Sequence, residues 1–385
     1  MARSKGQGSI ALRKDGIYMG RITRNGKTKT FYSKDRKKVE NELFNYSHMC
    51  QADFEKKVVR VRFQQYIYDY LFTFKYGHIK DSSFDRLERV YRVHIKDSPI
   101  GVVLLCDLDD ISIQRFLNSK YDSDLSLSQC KKIYDLIRSV LFYAYKKNDL
   151  SVDYGSLLRF PSADHFKEVK KIEIYTREEC EKMKSLILNP VSQKDKRFLR
   201  YAPAFLIMLN TGLRAGEMLC LTWNDIDFEN KVIHVTKTLS FVCDREKSTD
   251  KKMHYKNVVS KPKTLNSIRD IPMNDTVISL FSDLQINYWH YDCLTEYVVC
   301  NTNGEFIRLR SFEAKLKKIC ETCGIKYKGV HALRHTFASR LIESGISPKV
   351  VSDLLGHANV AFTLNRYVHP DDSNKYEAVK CLESV

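Results

Sequence analysis

Six polar residues spread through the C-terminal half of this 385-residue chain constrain its fold more than its composition does: Arg214, Lys263, His331, Arg334, His357 and Tyr367. They have a common use only if the chain gathers them in one place. Two arginines, a lysine, two histidines and a tyrosine suit a site that grips a phosphodiester and attacks it with a phenol. Guanidinium forks bind two phosphate oxygens at once, imidazole and ammonium groups move protons, and a phenol oxygen can form a phosphate ester. An isolated arginine is ordinarily a surface residue and any one of the 22 tyrosines is ordinarily structural, so local context has to separate them.

Arg214 stands in Thr211-Gly212-Leu213-Arg214-Ala215-Gly216-Glu217, ahead of the apolar run Met218-Leu219-Cys220-Leu221. This predicts the arginine at a helix start, where free amides also favour phosphate. Glu217, one turn further, falls on the same helix face and can orient Arg214 or another member of the site. In His331-Ala332-Leu333-Arg334-His335-Thr336-Phe337-Ala338 the step from His331 to Arg334 is one helical turn, so both point the same way. His331 and His335 also have the spacing of a metal pair. The glutamate of a metalloprotease helix is replaced by Ala332, however, so no metal site is expected, and His335 reads as structural, anchoring a helix from Thr336 to Ser344. Leu355-Gly356-His357 and Arg366-Tyr367-Val368-His369 complete the series.

In order and spacing these motifs resemble the tyrosine recombinases, and among them the integrases of phages and conjugative transposons. The resemblance is close over the catalytic half and looser elsewhere. It implies that Tyr367 is a nucleophile that forms a 3′-phosphotyrosyl intermediate and frees a 5′ hydroxyl, so the bond energy is kept and no ATP or other cofactor is required. Arg214 and Arg334 would clamp the phosphate, and Glu217 fills a place that is commonly acidic in the family. His331 would accept the Tyr367 proton or hydrogen-bond the phosphate, and His357 would lie against a phosphate oxygen. The family's general acid is a lysine on a mobile hairpin. Lys263, in the stretch that runs to Pro272, is the best match, with Lys261 on the same strand face as an open alternative. His369 fits the motif's end as a support for the loop.

Hydropathy patterning divides the chain into three. Residues 1–50 hold twelve Lys and Arg against four Asp and Glu. Ser9–Leu12, Ile17–Thr23 and Lys27–Tyr32 read as strands, with Lys14-Asp15-Gly16 and Asn25-Gly26 as turns. Ser33 then caps a helix with Val39, Leu43 and Phe44 on its apolar positions. A basic ribbon of this kind fits a DNA major groove, with Arg13, Lys14, Arg21, Arg24, Lys27 and Lys29 as candidate contacts. It looks like the arm-type DNA-binding domain of transposon and phage integrases; a solvated basic face is the plainer alternative.

Residues 58–160 turn helical. The expected apolar positions are Phe63, Ile67, Tyr70, Leu71 and Phe74, then Leu87, Val90 and Tyr91. A third helix starts at Asp109 or Asp110 and carries Ile113, Phe116 and Leu117; a fourth starts at Ser126 or Ser128 and carries Ile133, Ile137, Val140, Leu141 and Tyr145. The position of this four-helix unit resembles a core-binding domain. A linker over 159–172 leads into residues 172–385, the catalytic domain with a C-terminal tail. There Thr176 and Glu179 form a capping box, Phe205–Leu209 an apolar helix, Val232–Phe241 a strand, and Lys263–Ile271 part of a hairpin closed by Pro272. The expected fold is mainly α with small antiparallel sheets, an α+β chain. The tail from Asp371, with Tyr376, Val379 and Leu382, is helix-competent and suited to docking on a neighbouring protomer.

A net charge of +17 favours a polyanion, with nucleic acid the leading partner. No stretch approaches a spanning helix and the N-terminus lacks the apolar run of a secretory signal, so a cytoplasmic, nucleoid-associated bacterial protein with no membrane partner is expected. Eleven scattered cysteines read as reduced and mostly buried; Cys320 and Cys323 have zinc-like spacing without the remaining ligands, so a helical core position is expected. The family further implies double-stranded DNA attachment sites, a homo-tetramer on DNA, an excisionase and a host DNA-bending protein, although no residue identifies the last two. Two other readings remain open from the sequence, a type IB topoisomerase-like enzyme and a catalytically silent DNA-binding regulator.

Overall fold

The computed structural model describes residues 8–24, 27–48, 59–162, 173–190, 199–249, 252–262, 265–289 and 295–367. Lys263, His369, the middle of the expected linker and the tail from 371 lie outside them. The chain divides into two compact units, residues 1–79 with 86–167 and residues 80–85 with 168–385.

The first unit opens with an antiparallel sheet of β1 (Ser9–Leu12), β2 (Tyr18–Arg24) and β3 (Lys27–Ser33), in that order. One face carries Gly20 and Ile22 against helix α1 (Arg36–His48), where Val39 and Leu43 are buried with Ile22. A Cβ at Gly20 would stand 2.5 Å from Val39 Cγ1, so glycine lets the helix approach the sheet. The helix is capped at Asp35 rather than at the expected Ser33. The Asp35 carboxylate accepts from the Lys37 amide at 2.9 Å, and Ser33 Oγ accepts from the Asp35 amide at 3.1 Å. Phe44 is 62% exposed, contrary to the expectation, because the helical turn from Leu43 carries it off the buried stripe.

The helical part of this unit holds α2 (Phe63–Phe74), the residues from Arg86 onward of α3 (Asp81–Val90), which runs into a π-turn at Tyr91–Ile95, α4 (Asp110–Tyr121) and α5 (Leu127–Lys146). The first of each pair of alternative starts is the cap. Asp109 accepts from the Ser112 amide at 2.8 Å, and Ser126 exchanges bonds with Gln129. The predicted core positions are buried, except that Phe74 and Tyr145 are exposed at the helix ends and Leu87 is half-buried.

In the second unit the Thr176–Glu179 capping box opens α6 (Arg177–Leu188). Helix α7 (Pro203–Thr211) is buried along nearly its whole length and packs against α9 (Asp275–Trp289) and α11 (His331–Glu343). The expected single strand Val232–Phe241 is two strands in two sheets. β5 (Val232–Val235) pairs with β4 (Ile226–Asp227) and β8 (Arg269–Pro272), whereas β6 (Thr238–Cys243) pairs with β7 (Tyr255–Ser260). Of the expected hairpin, the described residues form a turn at Leu265–Ser267 and the edge strand β8, which pairs with β5 and where Pro272 costs no ladder bond. Cys320 occupies a buried position on α10 (Leu309–Thr322), and Cys323 caps that helix. No described helix is long and apolar enough to cross a membrane.

Candidate active site

Helix α7 ends at Gly212, whose φ of +65° favours glycine; a Cβ there would also stand 2.5 Å from the Phe337 ring, so any larger residue would be strained. The chain then turns back through buried Leu213 into Arg214. The helix that follows, α8 (Ala215–Met218), is a single turn, shorter than the sequence suggests, so its dipole is small. The positive field comes from guanidinium groups instead.

Glu217 organises them. It is 2% exposed, and its carboxylate accepts from the Arg214 amide at 2.8 Å and from Arg214 Nη1 at 2.7 Å. The opposite side is held by Arg269, with Nη1–Oε1 of 3.1 Å and Nη2–Oε2 of 2.9 Å, a bidentate fork. Burial pushes the Glu217 pKa up, but the hydrogen bonds and charge of Arg269 and Arg214 outweigh it and hold the carboxyl below its ordinary value. Arg269 also donates to Leu354 O at 2.7 Å and to Ser267 O at 3.2 Å, tying β8 to the end of α12 (Pro348–Leu355).

Helix α11 begins at His331, not at Thr336, so His331 and Arg334 stand on its first turn. Arg334 is 1% exposed and donates to Gly212 O at 2.7 Å and to Leu355 O at 2.5 Å. Arg214 donates to Gly356 O at 3.2 Å. The two arginines that the sequence sets 120 residues apart thus meet on consecutive carbonyls of one turn. Burial, reinforced by the Arg214 charge, lowers the Arg334 pKa to about 9, which leaves it charged at neutral pH. Three guanidiniums against the single Glu217 carboxylate leave an excess of positive charge for an anion.

Gly356, with φ of +63°, ends α12 and turns the chain into His357. His357 Nδ1 lies 2.8 Å from Thr363 Oγ1, on α13 (Val360–Tyr367), so the ring is oriented by the helix that carries Tyr367. Tyr367 is half-buried against Ala338, Val351 and Leu355, and its hydroxyl lies 2.5 Å from His335 Nδ1. His331 is exposed, its ring edge-on to His335 with centroids 4.7 Å apart. Arg214, Glu217, Arg334, His357 and Tyr367 are therefore gathered around the Leu354–His357 turn, with His331 beside it.

Two members of the site are missing from the sequence expectation. Arg269 pairs with Val235 and shares the inward face of β8 with Ile271. An arginine in an inward slot of a strand is the signal that points to it. His335, expected to be structural, touches the Tyr367 hydroxyl; its place beside Arg334 and its spacing of four from His331 are the hints.

The basic residues of the N-terminal sheet do not share one face. Arg21 lies on the face opposite α1, where the Arg13 guanidinium stacks 5.6 Å from the ring of exposed Tyr32. Lys14 sits in the β1–β2 turn. Lys29 is on the helix side, 5.5 Å from the Tyr46 ring.

A profile of the phage integrase family matches residues 176–374. Over 375 residues the chain is 29% identical to a tyrosine recombinase XerC-like protein of Caldanaerobacter subterraneus subsp. tengcongensis, covering 94% of this chain and 93% of that one. It is 26% identical over 207 residues to the transposase from transposon Tn916 of Enterococcus faecalis, covering 51% of this chain but only 47% of the transposase. In fold it is similar to the Tn1549 transposon integrase solved in complex with transposon right end DNA, with a TM-score of 0.68, 21% identity, and coverage of 84% of this chain and 100% of that one. The chain belongs to the phage integrase family. It is a tyrosine recombinase, an enzyme that cuts DNA strands and rejoins them.

Proposed function

We propose that this recombinase integrates and excises a mobile element by the following steps. Arg214 and Arg334 grip the non-bridging oxygens of the scissile phosphate, His357 and His331 border it, and the Tyr367 oxygen attacks phosphorus. The bond to the 5′ oxygen breaks, leaving a 3′-phosphotyrosyl enzyme; attack by a 5′ hydroxyl of the partner strand reverses the step and joins the new ends. The observation that carries this reading is the meeting of Arg214 and Arg334 on the adjacent carbonyls of Gly356 and Leu355, with the Tyr367 helix starting a few residues later. Negative charge that develops on the non-bridging oxygens in the transition state falls where charge compensation is already in place.

Lys263, between β7 and β8, is the group that protonates the departing 5′ oxygen. Lys263→Ala should slow cleavage strongly, and a substrate with sulfur at the 5′ bridging position should restore it, because a thiolate leaves without a proton. Single-turnover cleavage of both substrates measures this. Rescue of a Lys261 variant in place of Lys263 would move the role to Lys261.

Residues 1–50 act as an arm-type DNA-binding domain, 58–160 as the core-binding domain, and 172–385 as the catalytic domain. Arg13 and Arg21, on the sheet face away from α1, are the first contacts to test, and Lys14, Arg24, Lys27 and Lys29 belong to the same basic unit. Two duplexes present four strands to be cut, one tyrosine to each, so a homo-tetramer on paired attachment sites is the working assembly. It works in the bacterial cytoplasm, with an excisionase and a host bending protein setting direction. If about six phosphates are engaged, affinity should fall by roughly 10³ or more between about 50 and 200 mM salt. Fluorescence anisotropy across that range measures the slope, and a flat response would remove the backbone-contact account.

A further inference from the structure

We propose that His335, not His331, takes the proton of Tyr367 as its oxygen attacks phosphorus, an inference that rests on Tyr367 being the nucleophile. The described hydrogen bond at the Tyr367 hydroxyl is to His335 Nδ1, at 2.5 Å. The ring centroids lie 5.6 Å apart with the planes tilted at 50°. His335 is 7% exposed, and the His331 ring meets its ring edge-on at 86°. His331 is itself exposed. The residue best placed to fix the phenol and to exclude a competing water is the buried one.

In the step itself the Nε2–H tautomer of His335 presents the Nδ1 lone pair to the phenol. As the Tyr367 oxygen bonds to phosphorus, its O–H bond breaks and the proton passes to Nδ1. The phosphorus–5′ oxygen bond breaks, and the leaving oxygen takes its proton from the general acid. On rejoining, the imidazolium returns its proton to the departing phenolate, so the cycle closes without another reactant. The positive charge gained by His335 appears as the phosphorane beside it gains negative charge, so the two are mutually compensating. Arg334 precedes His335 on the same helix, so one turn of α11 supplies both the phosphate clamp and the acceptor.

The test uses the full chain on a nicked suicide substrate, with single-turnover adduct formation normalised to bound protein. His335→Gln keeps a hydrogen-bonding side chain of similar reach but cannot take the proton, and it should be slowed by roughly 100-fold or more with DNA affinity little changed. Replacing Tyr367 by 3,5-difluorotyrosine, a more acidic phenol, should recover about 10-fold in the His335→Gln background and much less in the wild type, because the need for a base falls. A purely structural role would give no such recovery. Near-normal cleavage by His335→Gln, absence of recovery with the acidic phenol, or recovery by the acidic phenol in His331→Gln in place of His335→Gln would each overturn the assignment. Adduct formation by Tyr367→Phe would instead overturn the nucleophile reading beneath it.

Discussion

Tyr367→Phe is expected to form no covalent adduct with a nicked substrate on a denaturing gel, with cleavage slowed by roughly 10⁴-fold or more, because the carbon–hydrogen edge left behind cannot attack phosphorus. The ring keeps its packing against Ala338, Val351 and Leu355. The variant loses one hydrogen bond, to His335, at a cost of about 1 kcal/mol, so it should remain folded. DNA affinity should stay within about twofold, since phosphate contacts from the basic side chains dominate it. The same gel run with wild-type protein without added metal should show the adduct. An adduct from Tyr367→Phe would mean that another residue is the nucleophile.

The second large effect is on stability. Glu217→Gln removes the only carboxylate described between Arg214 and the buried Arg269, leaving two guanidiniums facing an amide that satisfies them incompletely. Removing one partner of a buried ion pair costs about 3–5 kcal/mol. In a unit of this size that lowers the melting temperature by about 10 °C. The dependence on pH follows from the sign of the shift. Because the folded-state pKa of Glu217 lies below its ordinary value, the stabilisation is fully present above that ordinary value and is lost as pH falls through the depressed one. The melting temperatures of wild type and Glu217→Gln, well separated at neutral pH, should therefore converge in acid. Equal melting temperatures at neutral pH would mean that Arg269 and Arg214 find other partners and that Glu217 does not organise the turn.

Much of the fold was legible in the residues because the relevant signals are local. β1 falls at Ser9–Leu12 as read, the caps at Asp109, Ser126 and Thr176 form, and the buried stripes of α2, α4 and α5 carry most of the apolar residues that periodicity assigns to them. Capping needs one side chain within three residues, and a buried stripe needs only the helical period. Where the reading failed, a competing local signal was equally good. Ser33 and Asp35 are both capping residues, and the backbone chose the second. Val232–Phe241 alternates like a strand apart from Lys237, which stands in the apolar register; the chain leaves one sheet after Val235 and enters another at Thr238. Strand pairing is a property of partners distant in sequence, here β8 for the first part and β7 for the second.

The candidate site divides along the same line. The chemical types of its residues and their order along the chain were enough to suggest a phosphodiester and a phenol, since charge, fork geometry and nucleophilicity belong to the side chains themselves. Their roles toward one another were not. Arg269 is one basic residue among many in the linear sequence and becomes the buried counterpart of Glu217 only when β8 pairs with β5 and comes to rest beside Leu354. His335 reads as a helix anchor until α13 lays the Tyr367 hydroxyl against its Nδ1. Reactivity is carried by each residue's own atoms, and so it can be read one residue at a time; hydrogen-bond partnership requires two groups within about 3 Å, and that is set by packing between segments far apart in the chain.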